Sequence, residues 1–430
     1  MNALLISLLL STAVSAGPGP CKVFTGGTVA LPAEARDDLE VLVADGLIQR
    51  IAPQVDRSWD GEACRIISLE PDAWLTPGLI HVGSTLGLLE IGGESSTHNH
   101  DAGGEPVRAA HDVADAYDPT SVAVPVARRE GITSAVIVPG GGMVAGQAAW
   151  VQLEGRTQAD AVVRHGVAMG ASLSGGTPAE GLRLLRELLD DARAFATDRG
   201  AYDGNRSRSL AAGRMELEAL QPVIQGRMPL IVGANRSADI EALIRFARDE
   251  EVGLIIDGGA EAWLHAPALA SAGIAVVLNP LTQDPSSFDQ PHARHDNPAL
   301  LAAAGVRVII TNHSALFAGH LRQLAGLAWR DGMDHAQALA AITATPALVF
   351  GPEDRGRIAH GARADLVIWN GDPLELSSWA TSVLIEGRSV DTTTRHDALF
   401  ERYRDLPGLP LPALPLPAPP SPTLASPTGE

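Results

Sequence analysis

The stretch LTPGLIHVGSTLGLLE, residues 75–90, sets the frame of this chain. Leu75 to Val82 is an apolar, strand-like run broken by Pro77-Gly78, and it ends in Gly83, Ser84 and Thr85. Six more apolar runs follow: ITSAVIV (132–138), AVVRHGVAM (161–169), PLIVGA (229–234), VGLIID (252–257), IAVVLNP (274–280) and VRVIIT (306–311). Helical stretches separate them, among them PAEGLRLLRELLDDARAFAT, SADIEALIRFARDEE and LRQLAGLAWRDG. Continuous apolar strands alternating with helices imply parallel pairing with both sheet faces covered. An eighth strand is AAWVQLE (148–154), unless that stretch is an excursion hairpin. The expectation is an α/β chain built on a (β/α)8 TIM-like barrel, regular or distorted according to that stretch. Its site would lie at the C-terminal ends of the strands.

Outside residues 77–350 the pattern changes. KVFTGGTVAL, LEVLVADGLIQRIA and CRIISL read as short strands with Gly-Gly and Asp-Gly turns, and GRIAHGARADLVIWNGDPLE and ATSVLIEGRSV return to that style near the other end. Residues 21–76 and 353–392 are therefore expected to form one discontinuous β-sandwich. Residues 406–430 are Pro-rich and cannot build a packed core.

The chain of 430 residues is long enough for one large core plus a smaller module. At 45% hydrophobic and 19% charged residues it reads as globular. A formal net charge of −19 argues against nucleic acid and anionic membrane surfaces, which need a basic footprint. No segment beyond the first residues has the ~18 uninterrupted apolar residues of a membrane span. Residues 1–16, MNALLISLLLSTAVSA, have the apolar core and small-residue end of a signal peptide, so a secreted or periplasmic location is expected after cleavage near Ala16. Cys21 and Cys64 are the only cysteines. In an oxidising compartment they either pair or remain two buried thiols, and spacing alone does not decide between these.

The strand at 75–90, read with TPGLI (76–80), HLRQLAG (320–326), TPALVFG (345–351) and GARADLVIW (361–369), resembles the amidohydrolase superfamily, in its imidazolonepropionase-like group. ADGLIQRIAP and GARADLVIWNGDPLE are similar to that family's two sandwich signatures. The resemblance spans roughly residues 22–400 and implies hydrolysis of C–N bonds in cyclic amide-type substrates by water activated on a divalent metal. It implies histidines on strands 1, 5 and 6, an aspartate on strand 8, and often a carboxylated lysine on strand 4.

This chain departs from that pattern at each position. The strand 1 histidine positions hold Gly83 and Thr85, and the preceding aspartate position holds His81. In VGANRSADI the strand 5 positions hold Gly233 and Asn235, followed by Arg236. In IIDGGAEAW the strand 6 position holds Gly258, after Asp257 and before Glu261. In VIITNHSALFAGHLRQLAG the strand 8 position is matched to Ser314, beside Asn312 and His313. The one lysine, Lys22, lies outside the barrel. The expectation is a substituted metal centre, with no cofactor.

The candidate catalytic residues are His81, His313 and Ser314, with Ser84 a second hydroxyl to set against His81. The candidate pocket-lining residues are Gly83, Ser84, Thr85, Gln147, Gly233, Asn235, Arg236, Asp257, Gly258, Glu261 and Asn312. A weaker alternative lies in the long loop GGESSTHNHDAGGEP, where His98, His100 and Asp101 have a spacing that suits zinc if a further ligand approaches. PGGGMVAGQAA (139–149) lacks the lysine of a phosphate loop. Two functions follow as expectations. One is an exported amidohydrolase-like hydrolase inactive in the metal-dependent reaction. The other is a non-catalytic protein that binds a small polar molecule or acts as a scaffold. Sequence gives no oligomeric state.

Overall fold

In a computed structural model, residues 21–32, 34–54, 64–101, 103–173 and 176–404 are described. The expected leader at 1–16 and the Pro-rich stretch at 406–430 lie outside them. Residues up to Thr392 form one compact unit and those from Thr393 a second. The described part of the second unit is a helix, Arg395–Tyr403, opened by a reciprocal Thr394–Asp397 capping box.

An eight-stranded sheet forms the barrel. Its strands are β1 (Leu79–Ser84), β2 (Ile132–Ile137), β3 (Val144–Gln152), β4 (Val162–Ala171), β5 (Leu230–Ala234), β6 (Leu254–Gly258), β7 (Ala275–Leu278) and β8 (Val308–Ile310). Neighbours pair in sequence order. β1 and β2 are parallel, as is every pair from β4 to β8. β3 runs antiparallel to both β2 and β4. The ambiguous stretch is thus both a stave and an arm of a hairpin, and the barrel is distorted there. Only residues 138–143 separate β2 from β3. A parallel return needs a crossover of about a dozen residues or more, so the chain must reverse.

Alternation along the staves builds two cores. Ile80, Val82, Val136, Trp150, Ile231, Ile255, Val277 and Ile309 fill the barrel interior with Phe350. Leu79, Ile137, Leu230, Val232, Leu254, Ile256, Val276 and Ile310 belong to the core shared with the helices. Helix α1 (Pro178–Thr197) shows how the helical layer is specified. Thr177 accepts from the Glu180 N–H at its start, Pro178 follows at the first helical position, and Leu182, Leu185, Leu189, Ala192 and Phe195 repeat at helical spacing and are buried. Between β8 and β1 the seam is held by side chains: the Thr311 hydroxyl donates to the Val82 carbonyl, and His81 Nε2 bonds Asn312 Oδ1 at 2.9 Å.

Two further sheets make the sandwich. One has four strands, Leu47–Pro53, Leu39–Ala44, Lys22–Thr25 and Arg65–Ser68. The other has six, in which Trp74–Pro77 pairs antiparallel with Leu366–Trp369 and parallel with Thr28–Ala30. Strands from both sequence regions thus share one sheet, and Phe24, Val41, Ile48, Leu75, Leu366 and Leu384 are buried in one cluster. Cys21 and Cys64 form a disulfide with Cα atoms 4.7 Å apart. Arg355 and Asp365 make a buried ion pair, and Arg355 also reaches Glu386 at 3.1 Å and Gln152 of β3 at 3.3 Å.

Candidate functional site

The C-terminal ends of β1, β6 and β7, Ile231 on the inward face of β5, and the segments after β1, β2 and β8 surround a pocket of about 230 Å³. Its polar lining is Thr85, His100, Asp257 and His313, and its apolar lining is Val82, Val138, Pro139, Ile231 and Val277, with Gly83 and Gly140. The apolar residues were not foreseen from sequence. Their signal was the strand period, since Ile231 and Val277 lie on the inward faces of β5 and β7.

The segment after β8 turns sharply. His313 has φ +60°, uncommon for a residue with a side chain, and the Thr311 hydroxyl accepts its backbone N–H at 3.3 Å. This conformation brings the imidazole against β6, where Nε2 meets Asp257 Oδ1 at 2.8 Å. Burial acts to lower the His313 pKa, but the hydrogen bond and charge of Asp257 outweigh it and the pKa is raised. The same ring covers Gly83. A Cβ on Gly83 would lie 2.5 Å from the His313 ring carbon Cδ2, and Gly83 itself has φ +66°.

His81 is fully buried on the β1–β8 seam. Asn312 Oδ1 accepts from the Ser314 N–H at 3.1 Å, so the same oxygen can only accept from His81 Nε2. Burial, countered in part by that bond, pushes the His81 pKa down to about 4, and its Nδ1 is buried without a hydrogen-bond partner. Neither serine stands against His81 in the hydrogen-bond pattern. Ser84 Oγ accepts from the Leu86 N–H, and Ser314 contributes its backbone N–H to Asn312.

Several other sequence candidates have structural partners instead of pocket positions. Asn235 Oδ1 accepts from the Ala260 N–H at 3.3 Å and fills the space over Gly258, whose Cβ would lie 2.5 Å from that oxygen. Buried Glu261 accepts from Ser237 N–H and His292 N–H, both at 2.8 Å, and so caps helix α2 (Ser237–Asp249). Arg236 precedes that helix and is exposed. Gln147 Nε2 donates to the Ala109 carbonyl at 3.2 Å. Gly233 is exposed, with open space at its Cβ position. Thr85, by contrast, does line the pocket, and its Oγ1 also accepts from the Ala315 N–H at 3.2 Å, tying the two loops at the mouth together.

The long loop after β1 is strapped to the hairpin at Asp101–Gly140, Val107–Val144 and Asp112–Gln147. Of its H-x-H-D group, His98 Nε2 is within 3.0 Å of the Ile91 carbonyl and Asp101 lies 3.7 Å from Arg108. Only His100 of the three lines the pocket, and its Nδ1 is buried with no partner.

A divalent metal of the kind the resemblance implies does not fit this donor set. The side-chain space at Gly83 belongs to the His313 ring and that at Gly258 to the Asn235 amide, and glycine carries no donor atom. Among the described residues, no group of three or more His, Cys, Asp and Glu side chains is placed to hold an ion. The sole lysine, Lys22, donates to the Gly387 carbonyl in the sandwich.

A distorted TIM-like barrel with its pocket at the strand ends, beside a sandwich drawn from both sequence regions, is the architecture of this chain. It is the amidohydrolase fold. The model of the Amidohydrolase family matches residues 265–391, which hold HLRQLAG, TPALVFG and GARADLVIW. An amidohydrolase from Thermotoga maritima MSB8 is similar at 23% identity and TM-score 0.77, over 86% of this chain and 99% of that one. Molinate hydrolase is similar at 19% identity and TM-score 0.54, over 87% and 95%. The ochratoxinase of A. niger is similar at 15% identity and TM-score 0.52, over 86% and 95%. No curated protein matches the sequence. The resemblance to the amidohydrolase superfamily thus rests on a shared fold over most of the chain and a family match in residues 265–391. Among the described residues, no helix is long and apolar enough to cross a membrane.

Proposed function

We propose that this chain is an exported protein of amidohydrolase fold that has lost the metal-dependent C–N bond hydrolysis its family resemblance implies and holds a small polar molecule at the barrel mouth. The observation that carries this reading is the His313 imidazole, seated over Gly83 and paired with Asp257. The first-strand ligand position has become the bed for a ring delivered from the opposite side of the seam. The Cys21–Cys64 disulfide and the leader-like residues 1–16 support export, since disulfides persist in oxidising compartments.

The His313–Asp257 pair favours a second reading, hydrolysis without a metal. In it, neutral His313 takes a proton from water, Asp257 stabilises the imidazolium that forms, and His100 or Thr85 polarises the carbonyl. Turnover of a panel of cyclic amides by chelator-treated protein, with and without added zinc, separates the readings. The expected result is no turnover in either condition. Zinc-dependent turnover overturns the main reading. Metal-free turnover that disappears in His313→Gln establishes the second.

A further inference from the structure

We propose that the ligand of this pocket is a small acid with a short apolar side chain and one hydrogen-bond donor beside its carboxylate, as in a 2-hydroxy or 2-amino acid. The inference rests on reading the barrel mouth as a ligand pocket and names the class of molecule that matches its lining.

The polar groups are unequal in kind. Thr85 Oγ1 already accepts from the Ala315 N–H, so its hydroxyl hydrogen is what it can offer a ligand. His100 lines the pocket with its Nδ1 closed to solvent, which leaves Nε2 as the ring nitrogen a ligand can reach. His313 adds an imidazole hydrogen-bonded to Asp257 at the wall. These groups suit an oxygen-rich, negatively charged end with several lone pairs. Asp257 supplies the contrary requirement. It lines the pocket, its Oδ1 is engaged by His313, and its second oxygen remains an acceptor, satisfied by a ligand O–H or N–H and repelled by a bare carboxylate. A donor adjacent to the carboxylate meets both demands.

The remaining wall is hydrocarbon, with Val82, Val138, Ile231 and Val277 leaving no polar partner for the rest of the molecule. A volume of about 230 Å³ falls below the ~300–1,000 Å³ common for drug-sized ligands. A branched side chain of three or four carbons is the scale expected.

The test is saturation-transfer NMR and calorimetric titration of the full chain with 2-hydroxyisovalerate, valine, isovalerate and isovaleramide. The proposal expects one of the first two to bind, isovalerate more weakly, and isovaleramide weakest. It expects His100→Ala to weaken binding by about tenfold, the loss of one charge-assisted hydrogen bond. Leu281→Ala, exposed and outside the pocket lining, should leave affinity unchanged. Isovaleramide binding as tightly as the acids overturns the ligand class while leaving the mouth a ligand pocket. Equal binding by wild type and His100→Ala places the acid elsewhere and also overturns it. If none of the four binds, both the class and the pocket reading fall.

Discussion

His313 and Gly83 occupy one space: a Cβ on Gly83 would sit 2.5 Å from His313 Cδ2, on a backbone already at φ +66°. Gly83→Ala should therefore destabilise the fold by about 1–3 kcal/mol through crowding and left-handed strain. In the His313→Ala background the crowding component should vanish, so the double variant will be more stable than the sum of the single changes predicts. Urea unfolding of the four proteins of this cycle measures the coupling. Strict additivity would show that the ring does not rest on Gly83. Gly83→His should likewise gain no stoichiometric zinc by elemental analysis.

His81 predicts an acid-side loss of stability. Its folded pKa is about 4 against an ordinary 6.5, because full burial disfavours the charged ring. Above 6.5 the ring is neutral in both states and its contribution is complete. As pH falls from 6.5 to about 4, only the unfolded chain takes up this proton, so stability declines, by roughly 3 kcal/mol in all. Denaturant unfolding between pH 7.5 and 4 should show this slope, and His81→Leu should flatten it.

The sign for His313 is opposite. Its folded pKa is raised by Asp257, so the pair stabilises the fold below the ordinary value of 6.5, and the contribution is lost as pH rises through the folded pKa. Asp257→Asn should lower the His313 pKa, as read from its imidazole resonances in an NMR titration. An unchanged titration would show that the 2.8 Å contact is absent in solution.

The disulfide predicts a redox-dependent stability. Cys21 and Cys64 are 43 residues apart in sequence, and a loop of that size constrains the unfolded chain by about 4 kcal/mol in the chain-entropy model. Unfolding with and without reductant should differ by about 2–4 kcal/mol, with no such difference in the Cys21→Ser/Cys64→Ser protein. A difference below 1 kcal/mol would contradict the loop-constraint account.

Much of the fold was legible because burial leaves a period. Seven of the eight staves coincide with apolar runs, and TPGLI and GARADLVIW mark strands that meet in the sandwich or enter the barrel. The eighth stave was ambiguous because AAWVQLE pairs on both sides yet runs backward, and direction leaves no trace in composition. At the site, Gly83 and His313 could be named individually, but their shared space depends on one left-handed residue after β8. Asn235 and Glu261 looked like pocket residues from their neighbours, yet their bonds to Ala260, Ser237 and His292 secure the frame behind it. Hydrogen-bond partners so far apart in sequence are set by the pairing of neighbouring staves and not by local pattern.

The reversed third stave also bears on how the chain reaches its folded state. Parallel pairs delay their first contact until a whole crossover has closed, whereas β2, β3 and β4 follow one another through connectors of residues 138–143 and 153–161. This three-strand meander has the lowest sequence separation in the barrel wall. It is the segment best placed to nucleate assembly, with the remaining staves added onto its two edges afterwards.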